Sequence, residues 1–337
     1  MRDETRQVED ETVKWAMADV APMSDEAFER GRVALLARID AEESGKVVPL
    51  RRRRRIPLVA AAAAMVVIAG AALLAPSLVS QDKGPNVAAA DVLEQAANLT
   101  GDAKLQPGQY LHVLQKATWS MTDYDHRWMY LQGQTSQTWI PADRKGTWLY
   151  RHTRAGGRQW LIGSEKDLPA GFESPIDSEG EYTSEGGPAL HDKIEASFRD
   201  PSPEYLATLP LDPRELYRKL RDEVSGNEGL VFLQMINDGL DSGVYPAAVR
   251  SAVYQALTYL PKLEVVDQAA TIGGRTGTAL GVTENETTEQ IVVDQATGEY
   301  LGSRTLLAKD AWGLKKGQVI GVSSVTTTVV SGAGQGS

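Results

Sequence analysis

The chain has 337 residues, 24% charged and 42% hydrophobic, a balance that supports a folded core and excludes a wholly disordered protein. Its formal net charge of −10 argues against a nucleic-acid partner. The absence of cysteine excludes disulfides, Cys-containing zinc sites and thiol lipidation.

Residues 1–50 carry 12 acidic and 7 basic side chains and divide at Pro22 into two predicted amphipathic helices. In the first, Val8, Trp15, Ala16 and Val20 share one side. In the second, Ser24 is the N-cap, Asp25 and Glu26 suit the first turn, and Phe28, Leu35, Leu36 and Ile39 form a stripe at helical spacing. Fifty residues cannot bury either stripe alone. The segment therefore reads as an arm that lies on a membrane, stays partly unfolded, or lays its stripe in the groove of a cytoplasmic protein. Trp15, Phe28, Leu35, Leu36 and Ile39 are the candidate partner-binding residues.

Arg51, Arg52, Arg53, Arg54 and Arg55 stand directly before Ile56 to Val79, a run of 24 residues without a charge. At about 1.5 Å per residue a helix of this length reaches roughly 36 Å, enough to cross a hydrocarbon core of about 30 Å. The run is too long, and too far along the chain, for the apolar part of a cleaved signal peptide. Arginines are retained on the cytoplasmic side, so the expected topology is a single pass through the cell membrane with residues 1–50 inside and the bulk of the chain outside. The lipid bilayer is thus the first expected partner. Residues 80–90 read as a tether, 91–330 as an extracytoplasmic domain and 331–337 as a disordered tail.

Within the outer part, a helix is predicted from Asp91, with Val92, Leu93 and Ala96 inward. From Gly108 the pattern alternates through QYLHVLQKATWSM, HRWMYLQGQTSQTWIP, GTWLYRHTR and RQWLIGS, which predicts four successive strands. Trp119, Trp128, Trp139, Trp148 and Trp160 fall on them and line either a core or the concave, ligand-facing side of a curved sheet. Residues 164–210 read as a long polar excursion. Asp212, Pro213 and Glu215 fit N-cap, N1 and N3 of a helix striped by Leu216, Tyr217, Leu220 and Val224. Further helices follow over 228–240 and from Pro246 to Leu260. LEVVDQAATI, RTGTALGVTE, EQIVVDQAT, EYLGSRTLLA and QVIGVSSVTTTVV then alternate as an antiparallel meander. The order strands, helices, strands predicts an α+β fold, a curved antiparallel sheet packed with helices.

The phrases FERGRVALLARIDAE, LATLPLDPRELYRKLRDE, PAAVRSAVYQALTYLPKLEVV, AATIGGRTGTALGV and IVVDQATGEYLGSRTLL, in this order around one span, resemble a family of actinobacterial one-pass membrane proteins of unassigned biochemistry. The resemblance covers most of the chain. It implies an organisation similar to membrane anti-sigma factors and a neighbouring gene for an extracytoplasmic-function sigma factor. It also implies an outer domain resembling the half-barrel of lipoprotein carriers and periplasmic sigma regulators. The zinc-binding anti-sigma motif has no counterpart, since cysteine is absent and His112, His126, His152 and His191 all follow the span.

Motifs for catalysis are missing. There is no Gly-x-Ser-x-Gly, Walker loop, Gly-x-Gly-x-x-Gly or His-Glu-x-x-His, so no enzyme, cofactor or metal centre is expected. Asp123, Asp125 and His126 have metal-ligand chemistry but read as a solvated turn, and Gly273, Gly274 and Gly277 read as a hairpin rather than a phosphate loop. Two functions remain. In one, the arm grips a sigma factor under control of an outer sensor domain. In the other, the outer sheet is an anchored binding module for an extracytoplasmic lipid, another apolar ligand or a protein.

Overall fold

The computed structural model describes residues 87–172, 174, 179–187, 196–199, 201–224 and 229–336. The arm residues Trp15, Phe28, Leu35, Leu36 and Ile39, the arginines 51–55 and the apolar run 56–79 lie outside the described residues. Among those described, no helix is long and apolar enough to cross a membrane.

The described residues form nine strands: β1 Tyr110–Thr122, β2 Met129–Pro141, β3 Thr147–Ile162, β4 Gly180–Glu185, β5 Glu264–Ile272, β6 Arg275–Glu284, β7 Thr287–Asp294, β8 Glu299–Leu307 and β9 Val319–Val330. Helix α1 (Val87–Leu99) precedes them, and α2 (Pro203–Ala207), α3 (Pro213–Asp222), α4 (Gly229–Asp241) and α5 (Ala247–Leu257) lie between β4 and β5. The fold is α+β. All nine strands make one antiparallel sheet in the order β4-β3-β2-β1-β9-β8-β7-β6-β5. The chain thus meanders from β1 out to one edge, passes through the helices, enters at the opposite edge and meanders back until its last strand pairs with its first.

Strand alternation decides what each face carries. Val113, Thr138 and Tyr150 stand in one cross-strand row, and β1 pairs its Val113 with Thr327 of β9 on the other side. Val113, Trp148, Tyr150, Leu280, Val282, Ile291, Val293 and Val325 share one apolar cluster with Leu216, Leu220, Phe232, Leu233, Ile236, Val253 and Leu257 of the helices. Residues from both flanks of the sheet meet the same helices, so the sheet curves around them. Phe232, Leu233 and Ile236 of α4 are essentially solvent-free. Each contributes roughly 1.5–3 kcal/mol of burial. α3 starts where Asp212 accepts a 2.9 Å bond from the Glu215 amide, with Pro213 in the first turn.

Four boundaries differ from the sequence expectation. The segments GTWLYRHTR and RQWLIGS are one strand, β3, rather than two. Gly156 takes φ +71, and Gly133, opposite Ala155, has no Cβ where one would lie 2.5 Å from the Ala155 carbonyl oxygen, so the glycines make an irregularity in the ladder instead of a turn. The polar excursion 164–210 contains β4, which adds to the β3 edge, and α2. α1 begins at Val87 rather than Asp91, because Ala88 to Ala90 are strong helix formers and Ala89 is fully buried. Finally, the 331–336 segment packs on the sheet: Trp139 Nε1 donates to the Gln335 carbonyl at 2.7 Å, and Gly336 lies against His112. A buried indole needs an acceptor, and this stretch supplies it.

At Gly302, φ is +141 and an added Cβ would lie 1.9 Å from the Ser323 carbonyl oxygen of β9. Gly302→Ala is expected to cost roughly 2–4 kcal/mol from strain plus overpacking. Gly157→Ala, with open space around it, should change stability by less than about 0.5 kcal/mol. Urea unfolding of the two variants measures the difference.

Candidate functional site

The five tryptophans do not form one face. Trp139 pairs with His112 on β1 and Leu149 on β3, one residue out of phase with the Val113 row, and so points to the side of the sheet opposite the helices. There His112 stacks on it at 4.8 Å and Arg151 lies 5.0 Å over its ring. Trp148 belongs to the helix-side core, with its Nε1 donating to the Arg144 carbonyl at 2.9 Å. Trp128 precedes β2 instead of lying on a strand; it stacks on Tyr130 and meets Phe172 edge-on, while Trp160 packs against the Tyr130 ring at 5.1 Å. Trp119 is half-buried beside Gly321. Trp128, Trp139 and Trp148 are 5% exposed or less, which makes them packing residues and removes them from a solvent-open ligand face.

The acidic turn is likewise occupied. Arg127 donates to Asp123 through its backbone N at 2.7 Å and its Nε at 2.6 Å, and His126 stacks on Trp312 at 4.0 Å. Gly273 and Gly274, at φ +55 and +77, make the two-residue turn between β5 and β6. His191 lies outside the described residues. Among the described residues no group of three or more His, Asp or Glu side chains is arranged to hold a metal ion.

The structure instead assembles a buried polar cluster between α4 and the sheet. Asn237 and Asp241 are one turn apart on α4 and face inward, where the spacing would otherwise place apolar residues. Asn237 Nδ2 donates to Glu289 Oε1 at 2.6 Å and to the Gln290 carbonyl at 3.2 Å. Thr305 Oγ1 donates to Glu289 Oε2 at 2.6 Å, and Tyr300 Oη donates to Asp241 Oδ1 at 2.7 Å. Gln115 and Ser323, joined at 3.2 Å across the β1–β9 seam, lie against the Asp241 carboxyl. Asn237 Oδ1 has no hydrogen-bond partner among the described residues.

Glu289 is 2% exposed and Asp241 4%. Burial pushes both carboxyls up to about 7, outweighing the hydrogen bonds that favour their charged forms. Asp238, itself raised by burial and paired with Arg199 at 3.2 Å, adds a third acidic group nearby. Two carboxyl groups titrating near neutrality inside a core are the arrangement used for acid–base work, but a substrate has no access to these atoms. What the cluster can do is take up and release protons and thereby set how firmly α4 holds the sheet.

The sequence carries a signal for this site. Leu233, Asn237 and Asp241 follow one another at helical spacing, and Glu289, Ile291 and Val293 alternate in phase, so each acid sits where its own element's period demands an apolar residue.

Because the folded-state values lie above the ordinary carboxylate range, the native protein keeps protons that the unfolded chain releases between about pH 4 and 7. Stability is therefore expected to fall across that window, by several kcal/mol if both groups contribute at about 1.4 kcal/mol per pH unit, and to level off above pH 7. Glu289→Gln should flatten the profile, as read by urea unfolding at pH 5 and pH 8; an unchanged slope would remove Glu289 from the titration. No protein-family model matches the chain, and no curated protein matches it, so the chemistry of the cluster stands on its own geometry.

Proposed function

We propose that this chain is a single-pass membrane regulatory protein, anti-sigma-factor-like in organisation, whose arm 1–50 binds a sigma factor and whose outer α+β unit controls that grip. The observation that carries the reading is the uncharged run Ile56 to Val79 behind five arginines, which divides a short amphipathic arm from a large folded unit. The actinobacterial family that the chain resembles points the same way.

Packing supports regulation over ligand carriage. A carrier of the half-barrel kind needs an apolar hollow inside its curved sheet. In this sheet Phe232, Leu233 and Ile236 of α4 occupy the inner side against Leu280, Ile291 and Val293. Two surface depressions, of about 290 and 620 Å3, lie instead on the helical layer, lined by residues of α1, α3 and the end of α5. An interior closed by a helix and held by titratable carboxyls suits a unit that responds to its surroundings by changing stability.

Purification of the intact protein from its own membranes is expected to recover a sigma factor that is missing when residues 1–50 are deleted. Leu36→Glu, which puts a charge into the arm's stripe, should reduce recovery at least tenfold while leaving the protein in the membrane. Equal recovery with and without the arm would refute the assignment.

A further inference from the structure

The exposed side of α3, opposite Leu216 and Leu220, carries two arginines, while Tyr217 beside them packs edge-on against Phe232 of the core and leaves only part of its ring at the surface. Arg214 and Arg218 stand one turn apart with Tyr217 between them, and Tyr259, just beyond α5, completes the depression of about 620 Å3. The Arg214 guanidinium lies 5.7 Å from the Tyr259 ring centre, and the Tyr217 and Tyr259 rings are 6.0 Å apart. Neither arginine forms an ion pair among the described residues. Leu211, immediately before the Asp212 cap, is 56% exposed, and Tyr259 is 41% exposed. Cations interleaved with tyrosine and an exposed leucine are the side chains that settle at a lipid headgroup boundary.

The patch also stands at the end of the unit where the chain enters it. α1 runs antiparallel to α5: Asp102, just after α1, accepts from the Ala247 amide, Ser251 donates to the Ala97 carbonyl, and Glu94 shares a depression with Thr258 and Tyr259. Continuing this register, Tyr259 lies toward Val87, the first residue of α1. Seven residues, 80–86, separate Val87 from the end of the apolar run, a reach of at most about 25 Å.

Charge decides the orientation. The excess of five acids in residues 1–50 is cancelled by the five arginines, so the net charge of −10 belongs to the outer residues. An acidic body meets an anionic surface most favourably through exposed cations that no acid neutralises, and Arg214 and Arg218 form no ion pair among the described residues. We propose that Arg214, Arg218, Tyr217 and Tyr259, with Leu211 at their edge, dock on the anionic phospholipid surface of the bilayer that anchors the chain. The docking rests on the single-pass reading above. It holds the helical layer against the membrane and turns the strands away from it, with each arginine strengthening the contact about fivefold.

The absence of native cysteine makes a direct test available, since Leu211→Cys in the full chain accepts a single fluorescent label. The labelled protein is reconstituted into phosphatidylcholine vesicles with and without phosphatidylglycerol, each containing a headgroup-attached quencher. Docking predicts strong quenching with phosphatidylglycerol, several-fold less without it, and loss at high salt or in Arg214→Gln/Arg218→Gln whose melting transition is unchanged. Failure of the chain to float with either vesicle would overturn the membrane anchor and the docking together. Flotation with an unquenched label, or quenching that ignores lipid charge and the two substitutions, would overturn the docking alone. Release by excess soluble glycerol phosphate would reassign the patch to a free anion.

Discussion

The first strand must find the last. β1 and β9 pair over the ten-residue register from Tyr110↔Val330 to Trp119↔Gly321, about two hundred residues apart in sequence, and that seam is the strand pairing that joins the β1–β4 meander to the β5–β9 meander among the described residues. Closing so long a loop costs conformational entropy before any contact rewards it. The reward is a single curved sheet with helices from the middle of the chain buried against its inner face. Other features depend on this seam. Gln115 comes from β1 and Ser323 from β9, so the wall against which Asp241 rests exists only when the two strands are paired. Gly302 is required because β8 passes close to the β9 backbone next to the seam.

Above the seam, α4 couples its apolar contacts to a polar one. Phe232, Leu233 and Ile236 supply most of the attraction to the sheet, whereas Asn237 and Asp241 supply direction, since hydrogen bonds to Glu289 and Tyr300 tolerate only one placement of the helix. Burying two acids is costly when they ionise and mild when they are neutral. The helix is consequently held by contacts whose strength depends on protonation, a property an all-apolar helix would lack. For a protein proposed to report on its surroundings, this gives a physical route from the medium to the packing of the outer unit.

The two faces of the sheet serve different ends. On the outer face, His112, Trp139 and Arg151 form a stack closed by the 331–336 segment. On the inner face the helices leave one side of α3 and the end of α5 exposed, and there stand Arg214 and Arg218, which form no ion pair among the described residues. An acidic unit that gathers exposed arginines on one helix gains, near an anionic surface, a preferred orientation.

Much of the fold was legible in the sequence because it is local. Period-two alternation marked the strands of the second meander, and Asp212-Pro213 marked the start of α3, since alternation and capping act over two to four residues. The α+β class follows from the order of those segments. Legibility ended where glycine could serve two purposes: Gly156 and Gly157 look like a turn, and only the presence of β2 alongside makes them an irregularity inside β3. The tryptophans show the same limit, because Trp139 and Trp148 belong to similar alternating segments, yet the register of pairing sends them to opposite faces. The uncharged run, the arginine block, the lack of thiols and the kinds of element are written in local composition and spacing. Tertiary structure alone decided that Asp241, Glu289, Gln115 and Ser323 meet in one dry site, because strand pairing and helix packing bring together residues whose separation along the chain carries no sign of their neighbourhood.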